Sequence, residues 1–351
     1  FSVVLIALLE KLAQYPRFLR GLGAVAVSAL FLFLLDTYLV YWTGLPGLTG
    51  FLEHLGLLSE DSRSETIEGG AVIGGGIQLL LILGAVFGVL WLVIRSPQRN
   101  LEDDARLYSA IAAYIVRFAF WAIFLVGVAD TLISFLRVEG FLSALVGDHL
   151  TTQLGRSIFR GTWVHYPLII VAAIIALFVR TAAFIWLSLM IVAAEFLIVV
   201  TRFVFSYEQA FQGDLVRFWY AGLFLFASAY TLLHDGHVRV DVLYANFTER
   251  GKAVTNALGS LLLGLPLCWT IMILGTASRG SIVVSPLLSF EISQSGFGMY
   301  TKYLMAAYLV VFAVSMAVQF VALFLVSMSH FRSDRDPATE TQSEPSQPME
   351  A

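Results

Sequence analysis

Four ionisable side chains fall inside long apolar runs: Asp36, Arg117, Asp130 and Glu195. A charge in the hydrocarbon core is costly, so such groups are candidates for an ion or proton path, or for pairing with one another. A stand-alone channel or carrier would line its pathway with these four. A structural salt link from Arg117 to Asp36 or Glu195 is the competing reading. The chain has six His, namely His54, His149, His165, His234, His237 and His330, all in loops or at the ends of apolar runs. Membrane haem needs axial His well inside the bilayer, so haem is not expected. His234 and His237, with Asp235 and Asp241, superficially suggest a metal site. Two His at i and i+3 with no Cys nearby fit an interfacial polar turn better. Walker A, Gly-x-Ser-x-Gly and His-Glu-x-x-His sequences are lacking. No catalytic, metal or cofactor-binding residue is expected, and the chain is not expected to be an enzyme.

These side chains need membrane helices to position them. Of 351 residues, 58% are hydrophobic and 13% charged, against about 45–50% and about 25% in soluble domains. Mean hydropathy is +0.82. So few charges cannot cover the surface of a soluble protein of this length. The single Cys268 rules out a disulfide scaffold, and a formal net charge of −4 argues against nucleic acid as a partner. The apolar runs are long and continuous, unlike the period-two segments of a barrel. The fold class is therefore all-α: a polytopic helical membrane protein.

A spanning helix needs roughly 20 apolar residues. Residues 1–20 are amphipathic, with Lys11, Arg17 and Arg20 opposite Phe1, Val4, Leu8, Leu9 and Leu12, and read as an interfacial helix. Spans follow at about 21–43, 70–94 and 109–136, separated by polar loops, with an amphipathic loop at about 138–162. The tract 163–206 is too long for one crossing and is interrupted by Arg180. It divides into a short span at 165–179, or a re-entrant segment, and a longer span at 183–205. Three more spans lie at about 214–234, 253–276 and 301–328. The total is eight, or seven if 165–179 does not cross. Residues 331–351 carry Pro337, Pro345 and Pro348 among polar residues and read as a disordered tail. Gly70/Gly74 and Gly84/Gly88 are Gly-x-x-x-Gly pairs that would let helices approach closely, within the chain or across to another. Threading eight spans with the N-terminus inside places twelve Lys/Arg on the cytoplasmic side and eight outside, which puts both termini in the cytoplasm.

The segment between the sixth and seventh spans is the most distinctive. In His237-Val238-Arg239-Val240-Asp241 the polar residues alternate with valines, so an extended backbone presents one charged face and one apolar face. The stretch resembles the His-(Ile/Val)-Arg-(Val/Ile)-Asp signature of the small, Q-type membrane subunit of tripartite ATP-independent periplasmic (TRAP) transporters. Arg202-Phe203-Val204-Phe205 is similar to the Arg-Tyr-(Val/Ile)-Phe stretch that ends that family's first span. Phe211 to Arg217 is similar to the stretch that opens its second, with Asp214 and Arg217 kept in kind. The loop from Ser285 to Lys302 resembles the loop before the family's last span. The resemblance covers about residues 180–330, whereas ordinary members have four spans and lack the N-terminal half.

The sequence divides into four regions: an interfacial helix at 1–20, an extension of three or four spans at 21–180, a four-helix small-permease core at 181–330, and a tail at 331–351; the resemblance concerns the third and implies nothing about the extension. The resemblance implies a non-catalytic scaffold that holds a large elevator-type permease in the bacterial inner membrane. The partners would be that permease, a periplasmic substrate-binding protein and lipid. The cargo would be an organic acid, with sodium coupling residing in the partner and no cofactor here. His237, Arg239 and Asp241 would fix the cytoplasmic connector. Arg202, Asp214 and Arg217 would form a charged cluster near the outer surface. A stand-alone carrier, or a membrane anchor of a redox complex, leaves the 202–241 pattern unexplained.

Overall fold

The structure is a computed structural model that describes residues 11–57, 69–180, 184–233, 244–293 and 298–333. Among these no strand is present. Eight helices are long and apolar enough to cross a membrane. They are α1 (Pro16–Thr43), α3 (Gly69–Arg95), α4 (Leu101–Val138), α7 (Ser157–Phe178), α8 (Phe184–Phe205), α9 (Ala210–Leu233), α10 (Glu249–Gly275) and α12 (Lys302–Ser333). Between them lie short helices: α2 (Gly47–His54), α5 (Leu142–Val146), α6 (Asp148–Leu154) and α11 (Val284–Ser289). An all-α polytopic membrane protein is thus what the chain builds, with eight candidate spans rather than seven.

Helix ends follow local chemistry. Pro16 opens α1, where its missing N–H costs nothing, and Gly44 closes it in the left-handed conformation at φ 74°. Asn100 and Asp103 cap α4 reciprocally: each side chain accepts from the other's backbone N–H, at 2.8 and 3.0 Å. Glu102, Asp103 and Asp104 sit in its first turn and Arg137 in its last, complementing the helix dipole.

The chain forms two compact units. The first comprises 1–109, 238–266 and 317–351, and the second 110–237 and 267–316. In the first unit α1 buries Leu19, Ala24, Val27 and Leu30, and Gly23 lies against Val321 and Leu325 of α12. Of the interfacial helix expected at 1–20, residues 1–10 lie outside the described residues, and residues 16–20 form the start of α1. Arg20 is 2% exposed because Asp104 (2.7 Å) and the Ser96 carbonyl (2.7 Å) and hydroxyl (2.8 Å) use its guanidinium. A charge that looks interfacial in sequence is neutralised by a residue 84 positions away.

The polar loop expected between the first two spans begins as helix α2, whose Phe51 is buried. The glycine run of α3 makes room for it. A Cβ on Gly74 would stand 2.5 Å from Leu45, and one on Gly75 would stand 2.5 Å from Phe51. Gly84 and Gly88, by contrast, have no atom within 4 Å of such a Cβ. The close approach inside the chain is thus made by the run Gly74–Gly75, not by the second Gly-x-x-x-Gly pair.

The core of the second unit packs Ala119, Phe120, Ile123 and Val126 of α4 with Leu187 and Ile191 of α8. Val216, Phe218, Trp219 and Phe226 of α9 and Tyr308 of α12 complete it. Helix α7 starts at Ser157, eight residues earlier than its sequence suggests, so the amphipathic loop expected to reach 162 is shorter. Arg156 and Arg160 mimic a loop, but Arg160 is fully buried. The tail from 334 onward and Thr181–Ala183 lie outside the described residues.

Candidate functional site

The second unit holds a buried ionic cluster built around Asp130. On α4, Asp130, Ser134 and Arg137 stand at i, i+4 and i+7, which places them on one face. Arg160 and His165 come from α7. On a regular helix five residues are about 140° apart. The turn Gly161–His165 is a wider π turn, closed by the Tyr166 N–H on the Gly161 carbonyl. It brings both side chains to one carboxylate: Arg160 Nη1 donates to Asp130 Oδ1 at 2.9 Å, and His165 Nε2 stands 3.0 Å from the same oxygen. Such single π turns recur at functional positions. Gly161 also leaves room for Phe290, since a Cβ there would stand 2.4 Å from its ring.

The remaining valences are used in turn. The backbone N–H of Tyr300 donates to Asp130 Oδ2 at 2.8 Å. Arg160 Nε donates to the Leu154 carbonyl (3.0 Å) and Nη1 to Ser134 Oγ (3.0 Å), and its guanidinium lies 4.1 Å from the Tyr300 ring centroid. His165 Nδ1 stands 2.9 Å from Tyr303 Oη. The carboxylate can only accept, so Nε2–H is assigned to it and Nδ1 accepts from the phenol. Tyr300 Oη accepts from Arg137 and donates to the Gly155 carbonyl at 3.0 Å. Asp130, Arg160 and His165 are all fully buried. One buried donor, Arg160 Nη2, has no partner among the described residues.

A second carboxylate grips the same loop. Asp214, in the second turn of α9, accepts from the Met299 N–H (3.0 Å) and from Ser293 Oγ (3.2 Å). The backbone N–H groups of Met299 and Tyr300 are thus held by acids from two different helices, just before α12 begins at Lys302. Lys302 in turn pairs with Glu291. The arrangement ties α4, α7, α9 and the entry to α12 together. It fixes the loop that leads into α12.

The other expected residues separate. Asp214 pairs with Arg217 at 3.7 Å, whereas Arg202 pairs with Glu208 at 3.4 Å, so the expected three-residue cluster is two separate ion pairs. Arg117 meets neither expected acid; its Nε donates to the Ala176 carbonyl at 3.5 Å and covers the C-terminal end of α7. Asp36 Oδ1 accepts from the Leu48 N–H (3.2 Å) and Gln78 Nε2 (3.3 Å), so it holds the start of α2. Glu195 is exposed on α8. His237, Arg239 and Asp241 lie outside the described residues. Sequence reasoning singled out Asp130 but missed Ser134, Arg160, His165, Tyr300 and Tyr303. The i, i+4, i+7 polar stripe on α4 was the available signal.

Residues 190–329 match the family model described as "Tripartite ATP-independent periplasmic transporters, DctQ component". None of the curated proteins or solved structures compared with the chain matches it. The match takes in α8 from its second turn, α9, α10 and most of α12, together with Asp214 and the loop at Met299 and Tyr300. The chain is thus similar over residues 190–329, about two-fifths of its length, to the DctQ components, the small membrane components of TRAP transporters.

Proposed function

We propose that the chain is a non-catalytic scaffold that holds the large permease subunit of a TRAP transporter in the bacterial inner membrane, with both termini cytoplasmic. The assembly takes up an organic acid, a carboxylate, together with sodium. A periplasmic binding protein delivers that acid. Substrate and sodium bind on the other polypeptides. The observation that supports this reading is the state of Asp130. Its two oxygens are taken by Arg160, His165 and the Tyr300 N–H, and no part of it is exposed. A sodium ion at Oδ1 would compete with a guanidinium 2.9 Å away. Asp36 is similarly engaged by the chain's own donors. Acids used in this way stiffen a scaffold; a carrier path needs carboxylates left open to its ion.

The decisive measurement is uptake of labelled carboxylates into proteoliposomes under an inward sodium gradient. Uptake is expected only when this chain, the permease and the binding protein are all present. Uptake by this chain alone would overturn the reading in favour of a stand-alone carrier.

His237, Arg239 and Asp241 belong to the same proposal as the contact that fixes the cytoplasmic connector. Their triple alanine variant is expected to lose co-purification of the permease, or transport, by at least about tenfold, as when a buried charge pair at an interface is broken. Unchanged recovery and unchanged transport would remove these residues from the interface.

A further inference from the structure

Glu195 occupies the middle of α8, eleven residues after Phe184 and ten before Phe205. It is exposed, and so are the flanking Val192 (63%), Phe196 (69%) and Val199 (49%). Among the described residues Glu195 has no ion-pair or hydrogen-bond partner. The opposite face of the helix, through Leu187 and Ile191, is the one packed into the core of the second unit. A carboxylate at mid-bilayer depth that faces outward is unfavourable against lipid tails. All the other intramembrane ionisable groups picked out from the sequence are engaged within the chain, which leaves this one for something outside it.

We propose that the Glu195 face of α8 docks a membrane helix of a different chain, one that brings a Lys or Arg side chain to mid-bilayer depth against this carboxylate. Charge complementarity selects the occupant. A second copy of this chain on a two-fold axis through the face would set Glu195 against Glu195, because an isologous contact repeats the same residues. Arg117, the only cation expected inside a span, already covers the end of α7. The neighbouring Val192 and Val199 are stiff β-branched residues, suited to a fixed helix–helix contact around the charge pair. The inference rests on the scaffold reading, in which that helix belongs to the large permease subunit.

The test uses the full chain co-expressed with the permease. A photoreactive benzoylphenylalanine at Val192 or Val199 is expected to form an adduct with the permease. Glu195→Lys is expected to lower permease recovery by at least about tenfold, and Glu195→Gln by less, since the amide keeps a hydrogen-bond acceptor. An arginine-to-glutamate change at the cross-linked permease position should restore recovery with Glu195→Lys. Adducts to this chain alone, or wild-type recovery with Glu195→Lys, would overturn the docking site while leaving the scaffold reading standing. Failure of the wild-type chain to recover any permease would overturn both.

Discussion

Asp130→Ala is expected to be among the most damaging single substitutions in the chain. It leaves the Arg160 guanidinium, fully buried, without a counter-ion, and it strands the Tyr300 N–H that Oδ2 accepts. Breaking a buried ion pair from one side costs about 3–5 kcal/mol, because the surviving charge is uncompensated. The expected readout is a large fall in thermal midpoint in detergent, with loss of protease resistance across residues 298–302. Asp130→Asn should fall between wild type and alanine, since the amide still accepts hydrogen bonds but carries no charge. Asp130→Leu combined with Arg160→Leu should be milder than Asp130→Ala alone, because removing both charges leaves neither one unpaired. A wild-type midpoint for Asp130→Ala would show that the cluster does not hold the helices together.

Gly127→Leu comes next in size. Gly127 lies on α4 one turn after Ile123, and a Cβ there would stand 2.3 Å from Trp219 Nε1 and 3.1 Å from its Cε2. That indole N–H donates to the Ile123 carbonyl at 3.2 Å, across the contact between α4 and α9. A leucine must push the helices apart or expel the indole. Overpacking costs about 1–3 kcal/mol, and a buried donor left without its acceptor costs about 1–3 kcal/mol more. The midpoint should fall, and the tryptophan emission should shift as the indole moves. Gly84→Leu and Gly88→Leu are the controls, because neither position has an atom within 4 Å of a Cβ. Equal midpoints for Gly127→Leu and Gly84→Leu would refute the packing argument.

The two substitutions differ in how visible their sites are in the sequence. Asp130 announces itself as an acid in an apolar run. Its partners do not. Arg160 and His165 lie in a stretch whose charges mimic a loop, and the π turn puts them on one side of the helix against the usual 3.6-residue spacing. Tyr300 takes part through its backbone N–H, which no residue type reveals. Gly127 is equally silent, since a glycine in an apolar run carries no mark of the indole that needs its space.

Arg117 and Asp36 show the converse. Their types predicted ionic partners, yet they meet backbone N–H and C=O groups near the ends of other helices, along with one glutamine. Every helix leaves several backbone groups unpaired at each end, and in an apolar setting a nearby charge is drawn to them. Arg20, set down as part of an interfacial helix, is buried by Asp104 for the same reason that buried charges seek counter-ions.

By itself the sequence determined the solvent, the fold class, the number of candidate spans to within one, and the resemblance carried by its C-terminal part. Those depend on hydrophobicity summed over about twenty residues and on short local motifs, both of which are properties of contiguous chain. Tertiary structure alone decided which acids are consumed and which is left facing outward. That depends on residues 30 to 170 positions apart meeting at a single carboxylate. The scarcity of charge, 13% of the chain, gives those meetings their weight. Inside a membrane each ionisable group must find a partner, and Glu195 is the one that has found none among the described residues of its own chain.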